Sequence, residues 1–212
     1  MTTPSPSDPD PELARSIIDA EFGYIAQTAF QANEDRARAW QYFFVTFATL
    51  IAAVLSTQVE TAVQQQLYLT FVVIFGLLSV LGVITVAQLV RLRQAWLESV
   101  RAMNHIKERL IAADESLAHY FRWRNDTIPA AFKWRSFGFL QALSVALLSG
   151  LALGAAVAFA ALARGTAEVP WGWSLPVALA AAGVILWLGY IRPLQNTRPS
   201  PGPEARPAER AR

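Results

Sequence analysis

Four groupings in this chain bring together residue types that could do chemistry, and each has a plainer explanation beside it. His105 and His119 are two heptads apart, so a helix sets them on one face but about 21 Å apart along it, too far to share a metal ion. Glu34, Asp35 and Arg36 stand just before a long apolar run, where an acidic pair could hold a cation or act as a base. Pairing of those acids with Arg91 or Arg93 on a neighbouring helix is the expectation. Gln88 and Gln141 lie near the ends of apolar runs and could line a polar path or hydrogen-bond between helices. Asn125–Thr127 is the one N-x-S/T match, but it falls in a basic connection expected in the cytoplasm, where glycosylation does not occur. The chain has no Cys, which excludes disulfides and thiolate metal sites. It also lacks a P-loop, a Rossmann fingerprint, a nucleophile elbow and an HExxH motif. No catalytic, cofactor-binding or metal residue can be assigned, and a non-enzymatic protein is expected.

The elements that carry these residues are easier to read. Trp40–Gln58, Leu67–Val90, Phe137–Ala163 and Trp171–Ile191 contain no Asp, Glu, Lys, Arg or His. About 20 apolar residues at 1.5 Å rise cross roughly 30 Å of hydrocarbon. Without water to satisfy the backbone, each such run must be helical. The fold class expected is therefore all-α: four transmembrane helices in two hairpins, with long cytoplasmic amphipathic or coiled-coil extensions. None of these runs holds an ionisable residue, which weighs against an ion-coupled transporter.

Seventeen of the 18 Lys and Arg residues lie in residues 1–39, 91–136 and 192–212, and only Arg164 lies in the two short connections. Positive residues collect on the cytoplasmic side, so both termini are expected inside and the inner membrane is the expected location. Trp40, Tyr42, Trp134, Trp171, Trp173 and Tyr190 sit near the run ends, at headgroup level. The polar opening TTPSPSDPDPE carries no signal-peptide pattern. Only two of the 18 basic residues are Lys, which points to a GC-rich bacterial source.

Residues 1–10 and the Arg/Pro-rich tail 192–212 are expected to be disordered, leaving 11–191 as one membrane domain. Asp10 before Pro11 and Glu12 reads as an N-cap, opening a cytoplasmic helix over 11–39 that runs into the first crossing. The second crossing is expected to continue as a helix over 91–124, projecting roughly 50 Å, because no Gly or Pro interrupts it. Asn125, Asp126, Thr127 and Pro129 then supply a turn. Leu89, Trp96, Met103, Leu110 and Leu117 recur every seven residues, with Ile106 in the companion line, a coiled-coil seam. Its expected partner is the antiparallel 11–39 helix, which carries net −4 against +4 for 91–136.

On the third crossing Ala142, Ala146, Gly150, Gly154 and Ala158 recur every fourth residue and form a smooth strip for close helix packing. The strip could face the fourth crossing or another subunit. Gly76, Ser79 and Gly82 form a smaller notch on the second crossing.

A helix ending in Arg36, Arg38, Trp40 and Tyr42, then a tight hairpin and a long amphipathic helix, resembles the SLATT family of bacterial two-span membrane modules. The likeness covers 11–124 and lies in the arrangement of elements. It implies a pore-forming effector, and it carries over no site residue. The expected second hairpin, 137–191, departs from the family, and no sensor domain is expected. The leading expectation is an inner-membrane protein that self-associates as a homo-oligomer and meets a cytoplasmic protein through its helical stalk. An oligomeric channel or pore is the alternative. The bilayer is the expected surrounding, and no nucleic-acid partner is expected.

Overall fold

A computed structural model describes residues 11–57, 64–121, 124, 128, 130–166 and 168–197. It is all-helical over these residues, and four helices are long and apolar enough to cross a membrane. Helix α1 runs Pro11–Ser56 without a break at Gly23, α2 runs Gln64–Ala113, and α3 runs Phe137–Ala163. Helix α4, Trp171–Leu186, passes through a π-helical turn, Trp187–Ile191, into the short α5, Arg192–Gln195. The expected Asp10 cap, the disorder of 1–10, the 125–127 turn and tail residues 198–212 lie outside the described residues, as does most of the 59–66 connection.

Two expectations about element ends are corrected. The tail does not begin at 192: helix continues through α5, and Leu194 is buried in the core. Nor does α2 reach 124. It stops at Ala113 because Asp114 turns extended (φ −148°) and its carboxylate accepts from Ser116 N at 2.9 Å. An Asp side chain that bonds the backbone two residues on competes with helix continuation, a stop that needs neither Gly nor Pro. A 3-10 turn, Glu115–Tyr120, follows, and described residues beyond it again meet α2. Arg124 Nε lies 3.8 Å from Glu108 Oε1, Lys107 stands over the Phe121 ring, and Arg93 Nε donates a long 3.5 Å bond to Ala131 O. Arg135, at φ 64°, turns the chain into α3, where Ser136 Oγ accepts from Phe139 N as an N-cap.

The packing follows chain order: α1 on α2, α2 on α3, α3 on α4. One core cluster gathers Phe43, Val86, Leu89, Val90, Phe139, Val145, Tyr190 and Leu194; a second gathers Phe71, Phe75, Leu78, Ala152 and Ala156, with Phe159 stacked on Phe75. Helix α3 stands between its neighbours, and its small residues set how near they come. A Cβ on Gly154 would stand 2.7 Å from Ser174 O and 2.8 Å from Ala178 Cβ; on Gly150 it would stand 2.8 Å from Ala182 Cβ and collide with Ala178 O. A Cβ on Gly82 of α2 would collide with Ser149 of α3.

These contacts sort the glycines. Gly150→Ala and Gly154→Ala should each destabilise the protein by about 1–3 kcal/mol, since the obstructing atoms include rigid backbone. Gly76→Ala and Gly183→Ala meet nothing within 4 Å and should be neutral or stabilising by up to about 1 kcal/mol. Denaturation of the purified protein in detergent micelles measures both, and equal effects in the two pairs would show that α3 and α4 are not in this contact.

Candidate functional site

Polar chemistry gathers at one end of the bundle, where α1, α2, α3 and the π turn meet. On α1 the buried line is Ile25, Ala29, Ala32 and Phe43, and Arg36 falls in the same line, four residues after Ala32 and seven before Phe43. On α2, Arg93 falls between buried Val90 and Leu97. Both arginines are thus carried inward by the stripe that packs their helix. The π turn adds one residue to a helical turn and brings Tyr190 inside, 4% exposed, with its ring 6.4 Å from that of Phe139. Gly138 makes room for them: a Cβ there would lie 3.1 Å from Tyr190 Oη and 3.5 Å from Arg36 Nη1.

The two guanidiniums are half-buried and like-charged. Burial lowers the pKa of Arg36 from its ordinary value; burial and then the charge of Arg36 lower that of Arg93. Arg36 Nε is enclosed and has no hydrogen-bond partner among the described residues. Among the described residues Arg93 has the long bond to Ala131 O and the face of Trp96, whose centroid lies 4.4 Å from its guanidinium carbon. The expected pairing of Glu34 and Asp35 with Arg91 or Arg93 is not made. Both acids turn to Arg38 on their own helix, at 3.7 and 3.9 Å, because the i,i+4 and i,i+3 positions are nearer than the next helix. No ion pair among the described residues reaches Arg36 or Arg93.

The other residues singled out in the sequence are not brought into a common site. Gln141 is buried with its Oε1 unpartnered, whereas Gln88 is exposed, so the two line no shared surface. His105 is half-buried and His119 is exposed. Among the described residues no three His, Cys, Asp or Glu side chains gather as for a metal. Within the small strip, Ala142 and Ala146 are fully buried, Ala158 is buried, and Gly150 and Gly154 lie against α4 of the same chain.

The seam on α2 is displaced by one residue. Leu89 is buried, but Trp96, Met103, Ile106 and Leu110 are half-buried, and Leu117 lies beyond the helix in the 3-10 turn. The fully buried line is Val90, Leu97 and Asn104, a heptad passing through a polar residue, which is why counting apolar residues missed it. Asn104 is 0% exposed; its Oδ1 accepts from Lys107 Nζ at 3.3 Å and its Nδ2 is unpartnered.

At the opposite end an apolar cavity of about 240 Å³ lies between α3 and α4, walled by Leu151, Phe159, Leu162, Trp171 and Leu175, with the unpartnered Ser174 Oγ against it. Close by, Gln65 Nε2 donates to Ala163 O at 3.2 Å across the α2–α3 end.

No protein-family model, curated protein or solved structure matches this chain.

A fully buried amide whose nitrogen has no partner among the described residues costs stability. Asn104→Leu should raise stability by about 1 kcal/mol in chemical denaturation of the detergent-solubilised protein. A clear loss would show that Nδ2 is hydrogen-bonded in the working protein.

Proposed function

We propose that this chain is a non-enzymatic integral protein of the bacterial inner membrane, crossing four times as two hairpins with both termini in the cytoplasm. It self-associates and meets a cytoplasmic partner through the stalk formed by the first half of α1 and the last part of α2. The membrane location is supported by four helices of spanning length and apolarity, and the orientation by the concentration of Lys and Arg in 1–39, 91–136 and 192–212.

The observation that carries the association is the bareness of α1. Only 6% of its most apolar stretch is buried, against 44% in α3. Within the membrane, lipid would cover such a surface. In the stalk there is no lipid, yet Leu13, Ile17 and Tyr24, four and seven residues apart on one face, are more than half exposed. A contiguous apolar face in water is the mark of an interface. Gly150 and Gly154 of the α3 strip already lie against α4, which leaves the bare stalk face of α1 as the surface this reading assigns to contact between subunits. Gln88 and Gln141 offer no joint lining for a channel, and no other observation favours one.

The absence of native Cys makes single-cysteine variants a direct test. In intact cells an impermeant maleimide should label Thr166→Cys and spare Glu98→Cys. In native membranes Ile17→Cys and Tyr24→Cys should crosslink into dimers, whereas Ile25→Cys, on the buried line, should not. Labelling of residue 98 from outside would overturn the topology. A wholly monomeric pattern with no co-purifying protein would remove the association.

A further inference from the structure

We propose that Arg36, Arg93 and Tyr190 form a binding site for a phosphate group. The guanidiniums come from two helices and the hydroxyl from a third, at the end of the bundle where α3 begins. Two half-buried cations within electrostatic reach of each other repel and have each lost part of their hydration. Proteins ordinarily offset this with a carboxylate, and none of those nearby is used so: Glu34 and Asp35 face Arg38. A doubly faced anion is the missing complement.

The donors suit an oxyanion. Guanidinium forks bind phosphate oxygens two at a time, and Arg36 has an enclosed Nε–H with no partner. The face of Trp96 lies under the Arg93 guanidinium. The hydroxyl of Tyr190 supplies a neutral donor, held with Arg36 Nη1 around the position that a Gly138 side chain would occupy. The first turn of α3 starts here too, capped by Ser136, and its positive end favours the same charge. Burial lowers the pKa of Arg36, and burial and then the charge of Arg36 lower that of Arg93; an anion between them would offset both effects.

The level of the site suggests the source of the phosphate. Arg36 is four residues before Trp40, Arg93 three after Val90, and Tyr190 one before Ile191, so all three lie within about one turn of the apolar run ends. That is headgroup depth, where Trp134 and Phe137 stand exposed beside α3. A phospholipid phosphodiester meets the site without leaving the bilayer, and a soluble phosphate would reach it from the cytoplasm. The lipid source rests on the membrane placement proposed above; the affinity of the cluster for phosphate does not.

Native mass spectrometry of the full-length protein, extracted in neutral detergent and offered equal phosphatidylglycerol and phosphatidylcholine, tests the lipid source. Titration with inorganic phosphate in phosphatidylcholine nanodiscs tests the soluble one. Wild type should retain one phosphatidylglycerol per chain, or bind inorganic phosphate, and Arg36→Gln or Arg93→Gln should weaken this about tenfold. Arg91→Gln removes the same charge from an exposed neighbour on α2 and should change binding less than twofold. Tyr190→Phe, which keeps the ring packing, guards against a loss due to misfolding and should weaken binding by a smaller factor. Preference for phosphatidylglycerol assigns the site to lipid, and binding of inorganic phosphate alone assigns it to a soluble ligand. If wild type takes up neither, or Arg93→Gln behaves as Arg91→Gln does, the site is overturned. Recovery of such a protein in the membrane fraction would still leave its placement standing.

Discussion

The bundle depends on how closely α3 lets its neighbours approach. Between helices apolar enough to cross a membrane, burial of apolar surface would bring little gain in lipid, and van der Waals fit is what would hold them there. Fit of that kind is set by the smallest side chains. At Gly150 and Gly154 the backbone of α4 lies where a methyl group would be, and at Gly82 the side chain of Ser149 does. Larger groups pack around these close approaches, Phe43 beside Gly82 and Phe159 against Phe71 and Phe75. Because α3 contacts α2 on one side and α4 on the other, its glycines bear on both pairs at once.

The same packing accounts for the two arginines. Helices α1 and α2 meet along one line each, and that line continues past the apolar run into polar sequence. Arg36 and Arg93 occupy the next positions on it, so packing of Phe43, Val90 and Leu97 draws the guanidiniums inward. Local contacts hold them: Trp96 under one, the Ala131 carbonyl beside it, and the space at Gly138 for the other. None of these neutralises a charge. The π turn completes the group by rotating Tyr190 inward, together with Ile191 and Leu194.

Much of the fold was legible in the sequence, and the rest was hidden for identifiable reasons. Charge-free runs give the four long helices because length and apolarity are local properties. The strip from Ala142 to Ala158 gives a close-packing face for the same reason, though not which helix would fill it. The site was not legible, since Arg36, Arg93, Gly138 and Tyr190 come from four separate segments, and a π turn has no simple residue signature. One trace was present: Arg36 and Arg93 each occupy an otherwise buried helical line, and a cation in a seam asks for a counter-charge. Asn104 escaped for the opposite reason, because a polar residue breaks an apolar heptad exactly where the true seam runs.

The end of α2 was legible by reach rather than by propensity. A helix over 91–124 would stand roughly 50 Å beyond the apolar run. From Arg124 the chain must return to Phe137 at the start of α3, and even fully extended it reaches only about 45 Å. A helix of that length therefore could not be followed by a third crossing beginning beside the second. Stopping at Ala113 shortens the outward arm to about 34 Å and frees enough chain for the return. The stop at Asp114 thus has a consequence at a distance: it lets Ala131 come level with Arg93 and lets Ser136 cap α3 beside Arg36 and Tyr190. The arginine cluster depends, by simple chain length, on a carboxylate just past the end of α2 and more than 20 residues after Arg93.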